Sequence, residues 1–246
     1  MMAAAAGMAT TGLIPYATTY AVFSSLRALD QVRNSIHYPG LNVKIASSHG
    51  GITPAPDGPT HQGQEDLSIM RALGGSTIIA GADSPTVKLA TWAAAEYPGP
   101  VYLSFTRDPV PILFDLNYPF EIGKAITIRD GSDATIIAIR DMVSQSISAA
   151  ARLAEKGLDV RVIDCHTLKP LDEGTIIEAA EETGAIVTAE SNVKMGGLGG
   201  AVAELLGENR PTPMKRIGMI DGFGESGRYL DVIRKYGMSA DHIATA

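Results

Sequence analysis

Cysteine is nearly absent. Cys165 is the single one in 246 residues, so no disulfide can form within the chain, and a reducing compartment, the cytoplasm, is the simplest expectation. Long hydrophobic runs are absent too: no apolar stretch reaches the roughly 18–20 residues that cross a bilayer. The start MMAAAAGMATTGLIPYA is apolar, but the first basic residue is Arg27, so the charged beginning of a signal peptide is missing. Positive charge is scarce. Lys plus Arg number 20 against 27 Asp plus Glu, a net charge of −7, which argues against nucleic acid or an anionic membrane surface as partner, since both are bound through basic patches. Charged residues make up only 19% of the chain, below the ~25% usual for soluble domains, as expected where a second chain covers part of the surface. With 45% hydrophobic residues and 26 Gly, the sequence is neither intrinsically disordered nor a coiled coil.

What is present is alternation. Strand-like runs at Ile14–Tyr20, Leu41–Ser47, Thr77–Ala80 and Val101–Phe105 are separated by helical patterns at Ser24–Ile36, about His61–Leu73 and Pro85–Glu96. Residues 106–121 carry Pro109, Pro111 and Pro119 without periodicity and suit a linker. The alternation then resumes with strands at Thr135–Ile139, Asp159–Asp164, Ala185–Ala189 and Arg216–Met219. Helices are expected at Val143–Lys156, Glu173–Thr183, Gly199–Leu206 and Gly227–Tyr236. Such spacing predicts two α/β domains with mostly parallel sheets, residues 1–118 and 119–246. Met1–Ala9 is helix-forming, yet no Ser, Thr, Asp or Asn precedes it as a cap, so the chain is expected to start inside a helix.

The densest polar cluster, Ser47–Gly51 followed by Asp57-Gly58-Pro59-Thr60-His61-Gln62, comes after a predicted strand. Ligands of open α/β sheets bind beyond the carboxyl ends of strands, so His49, Asp57 and His61 stand where a site belongs; Asp57 or Thr60 could equally cap the next helix. A third metal ligand is lacking there, so no metal site is expected on this chain. Arg107, at another strand end, suits a bidentate anion contact or an ion pair with Asp108. Tyr20 and Phe23 suit core packing or stacking on a flat ring. Met195–Gly200 is glycine-rich ahead of a helix but lacks both the dinucleotide and the P-loop pattern, so close packing at a helix start is the simpler expectation. Cys165 and His166 adjoin in sequence, which does not make a nucleophile–base pair.

The runs Thr18–Phe23, Asp30-Gln31-Val32-Arg33, Ser47-Ser48-His49 and Asp57–Gln62 together resemble the pyrimidine-binding domain of transketolases, which use thiamine diphosphate. Residues 121–246, with Asp164–Leu171 and the glycine-rich helix start, resemble the transketolase C-terminal domain. The resemblance covers the whole chain and implies an α/β fold of two doubly wound domains: a pyrimidine-binding domain lacking its first strand and helix, and a C-terminal domain. It implies the C-terminal subunit of a split transketolase, moving a two-carbon ketol unit between sugar phosphates. The partner would be an N-terminal subunit in an α2β2 assembly, and that subunit would hold the diphosphate and its Mg2+.

By position, Tyr20 and Phe23 match aromatics that line the aminopyrimidine pocket, and Leu26 falls where a third aromatic is common. Asp57 matches the residue reading the sugar hydroxyl at C2, His61 one near the donor's reacting hydroxyls, and His49 and Arg107 the ligands of the sugar phosphate. In the family a Glu-Gln-Asn segment immediately precedes the helix that begins here at Met1. Its Glu protonates a pyrimidine ring nitrogen, so the chain as given is expected to lack that residue and to be inactive alone. A 1-deoxy-D-xylulose-5-phosphate synthase-like fragment and a non-catalytic docking partner of a thiamine enzyme are the alternatives.

Overall fold

The computed structural model describes residues 1–246. In chain order the elements are α1 (Met2–Ala9), β1 (Tyr16–Tyr20), α2 (Leu29–Gln31), β2 (Lys44–Ser48), α3 (Asp66–Ala72), β3 (Thr77–Ile79), α4 (Ser84–Glu96) and β4 (Val101–Ser104). The second half comprises β5 (Ile126–Arg129), β6 (Ala134–Ala138), α5 (Met142–Ala154), β7 (Val160–Asp164), β8 (Thr167–Lys169), α6 (Glu173–Thr183), β9 (Ile186–Val193), α7 (Leu198–Asn209), β10 (Met214–Met219), α8 (Tyr229–Lys235) and α9 (Ala240–Ile243). Wide π-helical turns at Phe23–Arg27 and Val32–His37 flank the short α2, so the expected Ser24–Ile36 helix is present but loosely wound.

Two five-stranded sheets result, β1-β2-β4-β3-β8 and β10-β9-β6-β7-β5. Each has four parallel strands and one antiparallel edge strand, β8 against β3 and β5 against β7. The central strands β3 and β4 are buried along their whole length, which is why Thr77–Ala80 and Val101–Phe105 read as near-continuous apolar runs. Neither antiparallel strand was expected from the sequence. Strand β8 belongs to the second half of the chain yet completes the first sheet.

The halves also share a core. One cluster of 28 buried residues joins Ile45, Met70 and Ile78 to Ile163, Leu168, Ile176 and Leu198. Two helix caps fasten the proline-bearing connection between them. Asp83 caps α4 by accepting from Thr86 N (3.0 Å), while its other oxygen accepts from Leu113 N (2.7 Å) and Phe114 N (2.9 Å). Asp172 caps α6 and accepts from Ala125 N (2.9 Å). Midway, Tyr118 donates to buried Asp164 (2.8 Å). The segment 105–125 contains no helix or strand but is tied down at three points.

Helix α3 begins at Asp66 rather than at about His61. The side chains of Gln62 and Gln64 donate to the carbonyls of Glu225 (3.1 Å) and Gly222 (2.9 Å), so contacts with the second half hold 61–65 in turns. The expected capping roles of Asp57 and Thr60 are therefore absent: Asp57 ends a short 3-10 turn at Ala55–Asp57, and Thr60 bonds His61 Nδ1 at 2.9 Å. At α1 no side chain caps the amides. No helix is long and apolar enough to cross a membrane.

Because the core is continuous across the halves, calorimetry is expected to show one unfolding transition. Leu168→Ala should lower the stability of the whole by about 2–5 kcal/mol, the usual cost of truncating a buried Leu. Two separated transitions, with only one moved by the substitution, would contradict the shared core.

Candidate active site

Strands β1, β2 and β4 lie side by side and parallel, with Tyr20 opposite Ser48 and Ser47 opposite Ser104. Their carboxyl ends therefore open onto one edge, and five of the sequence-predicted residues line one cleft there, of about 280 Å3: Tyr20, His49, Asp57, His61 and Arg107. Phe23, the sixth, lies one helical turn beyond Tyr20. The Tyr20 ring stacks on His49 with centroids 3.7 Å apart and 15° between planes, and on Phe23 at 5.6 Å and 18°. His61 meets Phe23 edge-on at 5.7 Å. On its far side Phe23 borders a second cleft, of about 350 Å3, shared with Met2, Ala3 and Thr19.

The polar end is an ion-pair chain. Asp57 Oδ2 lies 2.7 Å from Arg107 Nε and 3.7 Å from His49 Nε2, and Arg107 also pairs with Asp108. His49 Nδ1 bonds Ser48 Oγ at 2.9 Å. Burial disfavours the imidazolium and pulls the His49 pKa below its ordinary value; Asp57 opposes this and Arg107 adds to it. The hydrogen bond to Asp108 leads in holding the Arg107 pKa above its ordinary value, with Asp57 adding to it. The site thus offers a neutral imidazole, a fixed cation and a carboxylate, with aromatic faces a few ångströms away.

The second half of the chain closes over this edge. Gly227 N donates to Ala55 O (3.0 Å), Ile52 N to Ser191 O (3.0 Å) and Val193 N to Gln64 O (2.9 Å). Gly58 and Gly224 fit so closely that an added Cβ would come within 2.4 Å of Ser226 Oγ and 2.1 Å of Gln62 Oε1, respectively.

The glycine-rich run serves packing. Glu190, fully buried, accepts from Leu198 N (2.9 Å) and Gly199 N (2.8 Å) at the start of α7, and a Cβ at Gly197 would strike its Oε2 at 2.0 Å. A protein carboxylate already fills the place a phosphate would take. Cys165 and His166 form no pair: the thiol leans on Thr167 O (3.5 Å), and the imidazole bonds Thr167 Oγ1 (3.0 Å) and stacks on Phe120. Burial pushes the thiol pKa up and holds His166 at about 4. Nowhere do three or more His, Cys, Asp or Glu side chains group as metal ligands.

Sequence reasoning passed over Arg140, which is fully buried between the halves. A signal was available: Arg140-Asp141 follows an apolar strand directly, the same carboxyl-end placement that singled out Arg107.

Comparison with known proteins bears on the family and the fold. Residues 1–111 match the family model for the transketolase pyrimidine binding domain, and residues 123–243 that for the transketolase C-terminal domain. The chain belongs to the transketolase family. It is 42% identical over 246 residues to the 6-deoxy-6-sulfo-D-fructose transketolase subunit SqwH of Clostridium sp. (strain MSTE9), covering all of this chain and 76% of that one. It is 36% identical to a subunit of the apulose-4-phosphate transketolase of Phocaeicola vulgatus, covering 97% of this chain and 76% of that one. A solved split-gene transketolase, an inactive beta4 tetramer, superposes with a TM-score of 0.94 at 42% identity, covering 99% of this chain and 78% of that one. In this transketolase-family chain the two doubly wound domains are the pyrimidine-binding and C-terminal ones, and the cleft described above lies on the former.

His49 supplies a test of the site's electrostatics. Asp57→Asn removes the carboxylate that supports the imidazolium, so the His49 midpoint should fall further below its ordinary value. Arg107→Met removes a neighbouring positive charge, so the midpoint should rise. A proton NMR titration of the five histidine rings reads both, and shifts of the same sign would contradict the arrangement.

Proposed function

We propose that this chain is the C-terminal component of a split transketolase. Docked on an N-terminal component, it would transfer a two-carbon ketol unit between anionic sugars with thiamine diphosphate. The observation that carries the proposal is the convergence of Tyr20, Phe23, His49, Asp57, His61 and Arg107 at one sheet edge.

The residues fit the cofactor's flat end. Tyr20 and Phe23 stand together at the end of β1, Tyr20 backed by His49 and Phe23 by the Arg27 guanidinium, and Phe23 borders a cleft shared with Met2, Ala3 and Thr19, so a heteroaromatic ring entering that cleft would be held against this aromatic cluster. Thiamine diphosphate supplies the carbanion-stabilising chemistry; its diphosphate and Mg2+ would be held by the partner. On this chain Arg107 and His49 would bind the anionic tail of the sugar, Arg107 through a fork of donors and His49 as a neutral donor. Asp57, fixed between them at 2.7 and 3.7 Å, would accept from a hydroxyl and select its configuration. His61 would hydrogen-bond the donor hydroxyls where a proton must move. Met1 to Ala3 border the Phe23 cleft, so the family's Glu-Gln-Asn, if joined to Met1, would bring its Glu to the ring site.

Docking has surface to use: Tyr38, Ile112 and Phe223 are 87%, 73% and 77% exposed. An α2β2 assembly would cover such positions, in keeping with the low charge of the chain.

Ketol transfer assayed with an N-terminal transketolase polypeptide and thiamine diphosphate tests the proposal. Turnover is expected from the mixture and not from this chain alone, and a version of the chain that carries Glu-Gln-Asn directly before Met1 should turn over faster. Arg107→Ala should raise KM for the anionic sugar at least roughly ten-fold, as expected when a charge-assisted contact is lost. A complex that forms but never transfers a ketol unit, with or without the upstream segment, would make this a docking protein instead.

A further inference from the structure

Arg140 follows Ile139 at the carboxyl end of β6 and is fully buried with φ +56°. A side chain larger than glycine holds that left-handed backbone only where the surroundings over-determine it, and here they do. Its Nε donates to Asp141 Oδ1 (3.1 Å), Nη1 to Ser104 Oγ (2.8 Å), and Nη2 to Ser191 Oγ (2.8 Å) and Asn192 Oδ1 (2.7 Å). Beyond Ser104 lies Asp66, whose Oδ2 accepts from Ser104 Oγ and Tyr102 OH and stands 4.0 Å from Nη1. Asp141 is held in turn by Ser191 Oγ (2.7 Å) and Tyr229 OH (2.5 Å). The guanidinium is thus gripped from β4 and α3 on one side and from β9 and α8 on the other.

Against this guanidinium lies the turn that carries His49. His49 has φ +65° and Gly51 φ +60°. A Cβ at Gly50 would come 2.4 Å from Arg140 Nη1, and one at Gly51 would come 2.2 Å from Nη2. Only glycine lets the backbone approach so closely. The main chain of the turn is pinned to the first sheet through Gly50 N to Phe105 O (2.9 Å), and Arg140 blocks it from behind.

We propose that Arg140 is a positioning residue: through it the C-terminal domain sets the His49 turn, and with it the anion-binding end of the cleft. That the cleft binds an anionic sugar rests on the function proposed above; that Arg140 places His49 does not. Arg140 touches no substrate. It acts through the backbone of Gly50 and Gly51, and its planar fork, which lysine cannot reproduce, is what the turn packs against.

The test uses the His49 ring as its own reporter. Stacked 3.7 Å from Tyr20, it carries a ring-current shift that a sub-ångström displacement of the turn changes. In the full chain, Arg140→Lys is expected to shift the His49 ring protons. The buried His37 and His166 rings should keep their positions, as a folded control. Ser191→Ala, which removes one partner of Nη2, should shift them less and in the same direction, and it stands in for Arg140→Lys should that variant lose the His37 and His166 signals. His49 resonances unchanged in a folded variant of either kind would overturn the proposal.

In the complex with the N-terminal component, Arg140→Lys should raise KM for the anionic sugar roughly ten-fold with a smaller effect on kcat, as loss of positioning at a binding group does. A fall in kcat with KM unchanged would also overturn it. A wild-type complex without ketol transfer would instead refute the functional proposal and leave the NMR result standing.

Discussion

The two halves of this chain meet around a guanidinium that water cannot reach. Removing Arg140 from solvent carries a desolvation penalty of several kcal/mol, offset only by good hydrogen-bond geometry and close countercharges. Ser104 from the first half and Asp141, Ser191 and Asn192 from the second take four of its five N–H donors, and the carboxylates of Asp66 and Asp141 stand close. Neither half could bury it alone. Breaking such a network by removing one partner costs about 3–5 kcal/mol, so the relative placement of the halves is specified by polar geometry as well as by the shared apolar core. The cleft inherits that precision, because the turn carrying His49 is packed against the same group.

The cleft itself balances charge. Arg107 is shared between Asp57 and Asp108, and His49 is held neutral by burial. An anionic substrate tail would therefore compete with two carboxylates for one guanidinium, which favours specificity over tight ground-state binding. Interior titratable groups are also placed away from their ordinary values: His37 and His166 at about 4, Asp164 and Glu190 at about 7, burial being the first cause in each. For the histidines, lowered folded values mean that stability falls as pH drops from about 6.5 towards 4. The raised carboxyl values act in the opposite sense, costing stability as pH rises towards 7. The two pairs oppose each other across the same interval.

Much of this was legible in the sequence. The parallel strands announced themselves as apolar runs because both faces of a parallel sheet are covered, and α4 showed as the helical pattern at Pro85–Glu96. The site residues could be placed because a loop after a strand in an open α/β sheet lies at the ligand-binding edge. Strands β5 and β8 escaped notice because neither is a buried apolar run like the equally short β3 and β4: β5 is only partly buried, and β8, Thr-Leu-Lys, pairs with a strand far away in sequence. The late start of α3 depends on Gln62 and Gln64 reaching carbonyls about 160 residues onward, which no local pattern encodes. Asp57 illustrates the limit: cap and ligand look alike until the fold shows that no helix begins beside it.

The central claim is that Tyr20 and Phe23 present a ring-binding surface completed by a second polypeptide. Calorimetric titration of thiamine diphosphate into the complex with an N-terminal transketolase component tests it most directly. The account predicts binding to the complex but to neither component alone, weakened roughly ten-fold by Phe23→Ala as a lost stacking contact would do. Cofactor binding that is indifferent to both Tyr20→Ala and Phe23→Ala, or absent from a well-formed complex, would contradict it.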